Sequence, residues 1–94
     1  PVIAEALEFA SMGLIPAGAH KNREFREEMI AFGKTVPRAL QDVLFDPQTS
    51  GGLLISVSEN QADALVAALK DIGIGDAAHI GEIIHSPDEK IRVV

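Results

Sequence analysis

The stretch Leu44-Phe45-Asp46-Pro47-Gln48-Thr49-Ser50-Gly51-Gly52-Leu53-Leu54-Ile55 constrains this chain more than any other. A polar, punctuated first half runs directly into an apolar second half, the pattern of a tight loop feeding a buried strand. Pro47 sets φ, Thr49 and Ser50 offer hydroxyls, and Gly51-Gly52 remove two Cβ atoms where the backbone turns sharply or approaches something closely. Consecutive small residues can aim several backbone N–H groups at one anion, which makes phosphate a candidate ligand. The alternative is that the two glycines only permit a tight turn and close packing at the head of a strand. A P-loop is excluded, because no Gly-Lys-Ser/Thr follows and the next element reads as strand rather than helix.

The chain has 94 residues, enough for one small domain with a limited core. Hydrophobic residues make up 47% of it, and its four aromatics are all Phe, so the core is expected to be aliphatic. A net charge of −6 argues against a nucleic-acid or anionic-membrane surface, either of which needs clustered Lys and Arg. The longest basic grouping, His20-Lys21-Asn22-Arg23, is followed by Glu24, Glu27 and Glu28. The absence of Cys excludes disulfides, a thiolate nucleophile and a cysteine-ligated metal within the chain. No apolar run approaches the roughly 20 residues that span a bilayer, and the start lacks a basic-then-apolar signal pattern, so a cytoplasmic location is expected. Because the sequence opens at Pro1, without Met, in what reads as a helix, a fragment of a longer protein is expected.

Local patterns suggest the following order. Ile3, Leu7, Ala10 and Leu14 fall near helical spacing, Pro1 is tolerated at a helix start, and Gly13 is the natural stop. Leu14 to Ala19, with Pro16 and Gly18 in an apolar run, reads as an extended segment or edge strand. His20 to Lys34 carries Phe25, Met29 and Phe32 at helical intervals and reads as a short helix. Pro37 is expected to open another helix through Phe45, with Leu40, Val43 and Leu44 on one face and Gln41 and Asp42 on the other. Gly52 to Val57 has the continuous apolar character of a strand buried on both faces.

Ser58-Glu59-Asn60-Gln61 has the form of a capping box. In the helix that follows, Ala62, Leu65, Val66, Leu69 and Ile72 make one apolar stripe, and Gly73 can take the left-handed position that ends it. Ala78 to His85 reads as a further strand, so that strand, helix and strand form a right-handed βαβ crossover. After the turn Ser86-Pro87-Asp88-Glu89-Lys90 comes a last short strand, Ile91 to Val94. The expected fold class is α+β: a mixed sheet flanked by helices, with one βαβ crossover, in a single domain over residues 1–94 without internal repeats or linkers.

Several side chains could carry chemistry. His20, Lys21 and Arg23 can donate to oxyanions, and the Asn22 amide both donates and accepts; the plainer alternative is an exposed basic loop. Asp46 could hold Mg²⁺ near a nucleotide, although Asp before Pro at a helix end is commonly a turn residue. His79 and His85 share one side of the expected strand but lie roughly 20 Å apart along it, so they cannot share a metal, and Glu82 points to the other face. Ser50 is not in a nucleophile elbow, and the adjacent pairs Glu27-Glu28 and Asp88-Glu89 diverge. A hydrolytic or metal site made from this chain alone is not expected.

Asp46-Pro47-Gln48-Thr49-Ser50-Gly51-Gly52-Leu53-Leu54-Ile55 resembles the signature in the C-terminal domain of the selenophosphate synthetases (selenide, water dikinases), within the aminoimidazole ribonucleotide (AIR) synthetase superfamily. Met12-Gly13-Leu14-Ile15-Pro16-Ala17-Gly18-Ala19-His20-Lys21-Asn22-Arg23 and Ile80-Gly81-Glu82-Ile83 agree with it in the same order, so the resemblance spans most of the chain. It implies an incomplete copy of that C-terminal domain, exposing apolar surface that its missing part would cover. It also implies a parent enzyme that converts ATP, selenide and water to selenophosphate, AMP and phosphate with Mg²⁺. The reactive Cys or selenocysteine, the essential Lys and the metal-binding Asp residues are then expected in an N-terminal ATP-binding domain of the same chain, and the parent as a homodimer.

By the same resemblance, Asp46, Gln48, Thr49, Ser50, Gly51 and Gly52, together with His20, Asn22 and Arg23, face the nucleotide or phosphate cleft. No catalytic or metal residue, bound cofactor or activity is expected in the isolated segment. The alternatives are another ATP-dependent member of the superfamily, such as AIR synthetase or thiamine monophosphate kinase, and a non-catalytic regulatory or dimerisation module. Asp46-Pro47-Gln48-Thr49-Ser50-Gly51-Gly52 matches the selenophosphate enzymes better than the other ATP-dependent members.

Overall fold

A computed structural model describes residues 1–94. It is a small α+β structure with four α-helices and a two-stranded parallel sheet. The chain divides into two compact units, one built from Val2–Ser50 with Ser86–Val94, the other from Gly51–His85 with Pro1.

In the first unit, α1 (Ala4–Ser11) ends where the periodicity predicts. Gly13 takes φ 78°, its N–H bonds the Ala10 carbonyl at 3.0 Å, and the Leu14 N–H bonds that of Phe9 at 2.9 Å. This is a Schellman closure, in which a residue without Cβ adopts the left-handed backbone and satisfies the last carbonyls. Pro16 then opens α2 (Ala17–Arg26) as its N-cap. The predicted extended segment therefore stops at Pro16, because a helix start does not need the missing proline N–H. A glycine inside α2 at position 18 has a tertiary reason: a Cβ there would lie 2.7 Å from Pro47 Cγ.

The predicted helix over His20–Lys34 is correct only in its first part. A 3₁₀ turn, Glu27–Met29, follows α2, and Ile30–Phe32 is strand β1. Its partner is β2 (Ile91–Val93), the last predicted strand, aligned in parallel with Ile30 opposite Ile91 and Phe32 opposite Val93. The Gly33 N–H extends the ladder to the Val93 carbonyl at 2.7 Å. The sheet is thus a parallel pair rather than the mixed sheet expected.

Pro37 opens α3 (Arg38–Leu44) as predicted, but its faces are not those expected: Asp42 is buried and Leu44 is half exposed. Both α1 and α2 pack on α3, around Ala10, Ala19, Val36 and Phe45.

The second unit holds α4 (Glu59–Asp71). Ala62, Leu65, Val66 and Leu69 of the predicted stripe are half-buried, and Ile72 is exposed. Gly73, at φ 94°, closes the helix, with its N–H on Lys70 and the Ile74 N–H on Leu69, both at 2.9 Å. Ser58 is the N-cap, but its hydroxyl makes no capping bond; the Gln61 N–H takes the Ser58 carbonyl instead, at 2.9 Å. Gly52–Val57 and Ala78–His85, predicted as strands, carry no regular secondary structure, because neither finds a ladder partner for its N–H and C=O groups within the chain. Their apolar side chains lie open, Leu53 at 90% and Ile83 at 88% exposure.

Candidate functional site

The loop that begins at Phe45 leaves the C-terminus of α3. Phe45 donates to Asp42 O at 3.2 Å, Asp46 to Val43 O at 3.1 Å, and Gln48 to Asp46 O at 3.0 Å, so the backbone is folded back on itself as far as Gln48. Beyond that, the N–H groups of Thr49, Ser50, Gly51 and Gly52 have no acceptor in the chain, and the Thr49 and Ser50 hydroxyls make no hydrogen bond. Pro47, Gln48, Thr49 and Ser50 are exposed, and Asp46 is half-buried with an unpaired carboxylate.

Gly52 does not have a positive φ, and a Cβ built on it meets nothing within 4 Å. Neither a left-handed turn nor close packing inside this chain requires a glycine there. A row of small residues with unengaged donors is chemically suited to an oxyanion.

The base of this loop is held by α2. The Asn22 side-chain amide donates to the Phe45 carbonyl at 2.9 Å. Arg23 donates through Nη2 to Asp42 Oδ1 at 2.8 Å, and both residues are buried. The guanidinium also lies 4.7 Å from the centre of the Phe45 ring and 5.9 Å from that of Phe32, and the two rings meet edge to face at 6.0 Å. Arg38 Nε reaches Asp42 from the solvent side at 3.1 Å, and Gln41 bridges Arg23, at 3.5 Å, to the Val36 carbonyl, at 3.0 Å. A carboxylate between two guanidiniums, with a cation stacked on aromatic faces, is a well-satisfied way to bury charge.

The structure therefore sorts the residues that the sequence singled out. Asn22 and Arg23 face α3 and the base of the loop and are engaged within the chain. His20, two positions away from Asn22 and so about 200° round the helix, is exposed and makes no hydrogen bond. The three do not converge on one point. Among His, Cys, Asp and Glu side chains, no group of three or more is placed to hold a metal ion. His79 Nε2 pairs locally with the Gly81 carbonyl at 2.9 Å.

Sequence reasoning missed Gly18, Asp42 and Phe45 as partners of this segment. Helical spacing marks Asp42 as solvent-facing, and only the arrival of Arg23 from α2 turns it inward.

The family model for the C-terminal domain of AIR synthase related proteins matches residues 4–94. A protein named selenide, water dikinase from Pelobacter propionicus is 57% identical over 93 residues, covering 99% of this chain and 27% of that protein. Proteins of the same name from Treponema denticola and Clostridioides difficile are 46% and 43% identical, covering 97% and 100% of this chain and 26% and 27% of theirs. The chain thus spans about a quarter of the length of these relatives. No solved structure matches it.

Proposed function

Since the chain belongs to the family of AIR synthase related protein C-terminal domains, we propose that it is the carboxy-terminal part of a selenophosphate synthetase, the enzyme that converts ATP, selenide and water to selenophosphate, AMP and phosphate. The observation that carries this is 57% identity along 99% of the chain to a protein named for that activity.

Phosphoryl transfer asks the protein for positioning and charge neutralisation more than for covalent chemistry. The proposed contribution of this chain is the wall of the nucleotide cleft formed by Asp46, Gln48, Thr49, Ser50, Gly51 and Gly52. There the unengaged N–H groups and the Thr49 and Ser50 hydroxyls donate to phosphate oxygens, and the missing side chain at Gly52 lets the phosphate approach the backbone. His20 is a second, separate donor, and Asn22 and Arg23 act through the loop they hold. The residues present suit a phosphate but do not supply a Mg²⁺ ligand set. The metal ligands, the reactive Cys or selenocysteine and the Lys are assigned to an N-terminal ATP-binding portion of a cytoplasmic, dimeric parent.

The exposed runs Gly52–Val57 and Ala78–His85 are proposed to become the two strands of the βαβ crossover around α4 once the rest of that longer protein supplies their ladder partners. Their apolar side chains are open, and their backbone groups make no backbone–backbone hydrogen bonds.

The test is selenide-dependent AMP formation from Mg-ATP by the full-length protein. AMP from the full-length protein and none from residues 1–94 alone is the expected result; an active, folded parent indifferent to selenide would overturn the assignment in favour of another ATP-dependent reaction.

A further inference from the structure

Three residues on one face of α2 contact the Pro47 ring, the Phe45 carbonyl and the Phe45 ring, at the base from which the exposed Pro47–Ser50 segment springs. Gly18 and Asn22 are one helical turn apart and so lie above one another, with Arg23 beside them. Gly18 brings its bare Cα against the Pro47 ring, where even a methyl group would stand 2.7 Å from Cγ. Asn22 holds the Phe45 carbonyl at 2.9 Å. Arg23 lies over the Phe45 ring at 4.7 Å and ties down Asp42 at 2.8 Å. A segment whose base is pinned by a backbone hydrogen bond, a ring stack, an ion pair and a steric contact has little freedom to shift, although its tip is exposed.

We propose that Gly18, Asn22 and Arg23 are positioning residues: the face of α2 sets where the Asp46–Ser50 loop presents its donors, without itself touching the phosphate. This rests on the assignment of that loop to a phosphate of ATP. Arg23 is buried and already engaged by Asp42 at 2.8 Å and by the Phe45 ring at 4.7 Å, so it is not a free phosphate ligand. Gly18 is absent from any list of chemically functional side chains, yet its position fixes Pro47.

The experiment uses the full-length enzyme and steady-state kinetics for Mg-ATP, with thermal melting alongside. Gly18→Ala is expected to push Pro47 and raise KM for ATP about tenfold, since displacements approaching 1 Å at a binding group cost up to about 100-fold. Pro47→Ala in the same chain removes Cγ and leaves the new methyl 3.5 Å from Cβ, an ordinary contact, so the double variant is expected to recover most of the lost KM. A role confined to folding would lower the active fraction, and with it the apparent kcat, at unchanged KM and with a lower Tm. That result, or no recovery in a folded double variant, would overturn the proposal.

Replacing Gly51 and Gly52 with Val in the same enzyme separates the two levels. Loss of activity there with unchanged KM in Gly18→Ala sinks only the positioning role. Unchanged kinetics in a folded Gly51/Gly52 variant sinks the phosphate assignment itself.

Discussion

Arg23 Nη2 and Asp42 Oδ1 meet at 2.8 Å, each from a different helix and both buried, with Phe45 stacked 4.7 Å from the same guanidinium. The pair joins α2 to α3 immediately before the loop of small residues. Removing Asp42 takes from the buried Arg23 its short ion pair and leaves it the longer contacts to Glu27 at 3.6 Å and Gln41 at 3.5 Å. Asp42→Ala in the full-length protein is therefore expected to cost about 1.5–3 kcal/mol in urea unfolding. Arg23→Lys should also destabilise, because an ammonium cannot reproduce the planar stack on Phe45 while reaching Asp42. A loss below about 1 kcal/mol for Asp42→Ala would mean that the pair is solvated rather than buried.

Gly13 and Gly73 close α1 and α4 with φ of 78° and 94°. A Cβ in that backbone region costs about 1–2 kcal/mol, so Gly13→Ala and Gly73→Ala should each lower stability by that amount. Gly75 has neither a positive φ nor a neighbour within 4 Å of a built Cβ, and Gly75→Ala is the matched control, expected within about 0.5 kcal/mol of the parent protein. Equal effects at all three positions would contradict the closure geometry.

At the loop, Thr49→Ala and Ser50→Ala each remove one hydroxyl donor from an exposed position and should leave Tm unchanged. If the loop binds phosphate, each lost hydrogen bond to a charged oxygen corresponds to about 1.5–3 kcal/mol, or about 10- to 150-fold in kcat/KM for ATP. Kinetics identical to the parent in both variants would remove the hydroxyls from the site and leave only the backbone N–H groups.

Hydrogen exchange tests the crossover. In the full-length protein, the amides of Leu53–Val57 and Ile80–Ile84 are expected to exchange slowly, as ladder-bonded strands do, although they make no backbone bonds within this chain. Exchange as fast as that of an exposed turn would show that these apolar runs never become strands.

What could be read from the residues alone follows the range of the interactions involved. The C-terminal closures of α1 and α4 at Gly13 and Gly73 and the opening of α3 after Pro37 depend on bonds between residues at most a few positions apart. They were therefore legible as periodicity and punctuation. So was β2, an apolar stretch after a turn.

The tertiary structure decided everything whose partner is distant in sequence. Ile30–Phe32 is strand rather than helix because Ile91–Val93, some 60 positions on, supplies its ladder. Position 18 of α2 has no room for a Cβ because Pro47, 29 positions on, lies against it. Asp42 turns inward because Arg23 arrives from another helix. Gly52–Val57 had the composition of a buried strand and still forms none here, since a strand is completed by a neighbour and not by its own residues. Sequence determines which segments can close their hydrogen bonds locally; the remaining choices pass to whichever distant surface satisfies them.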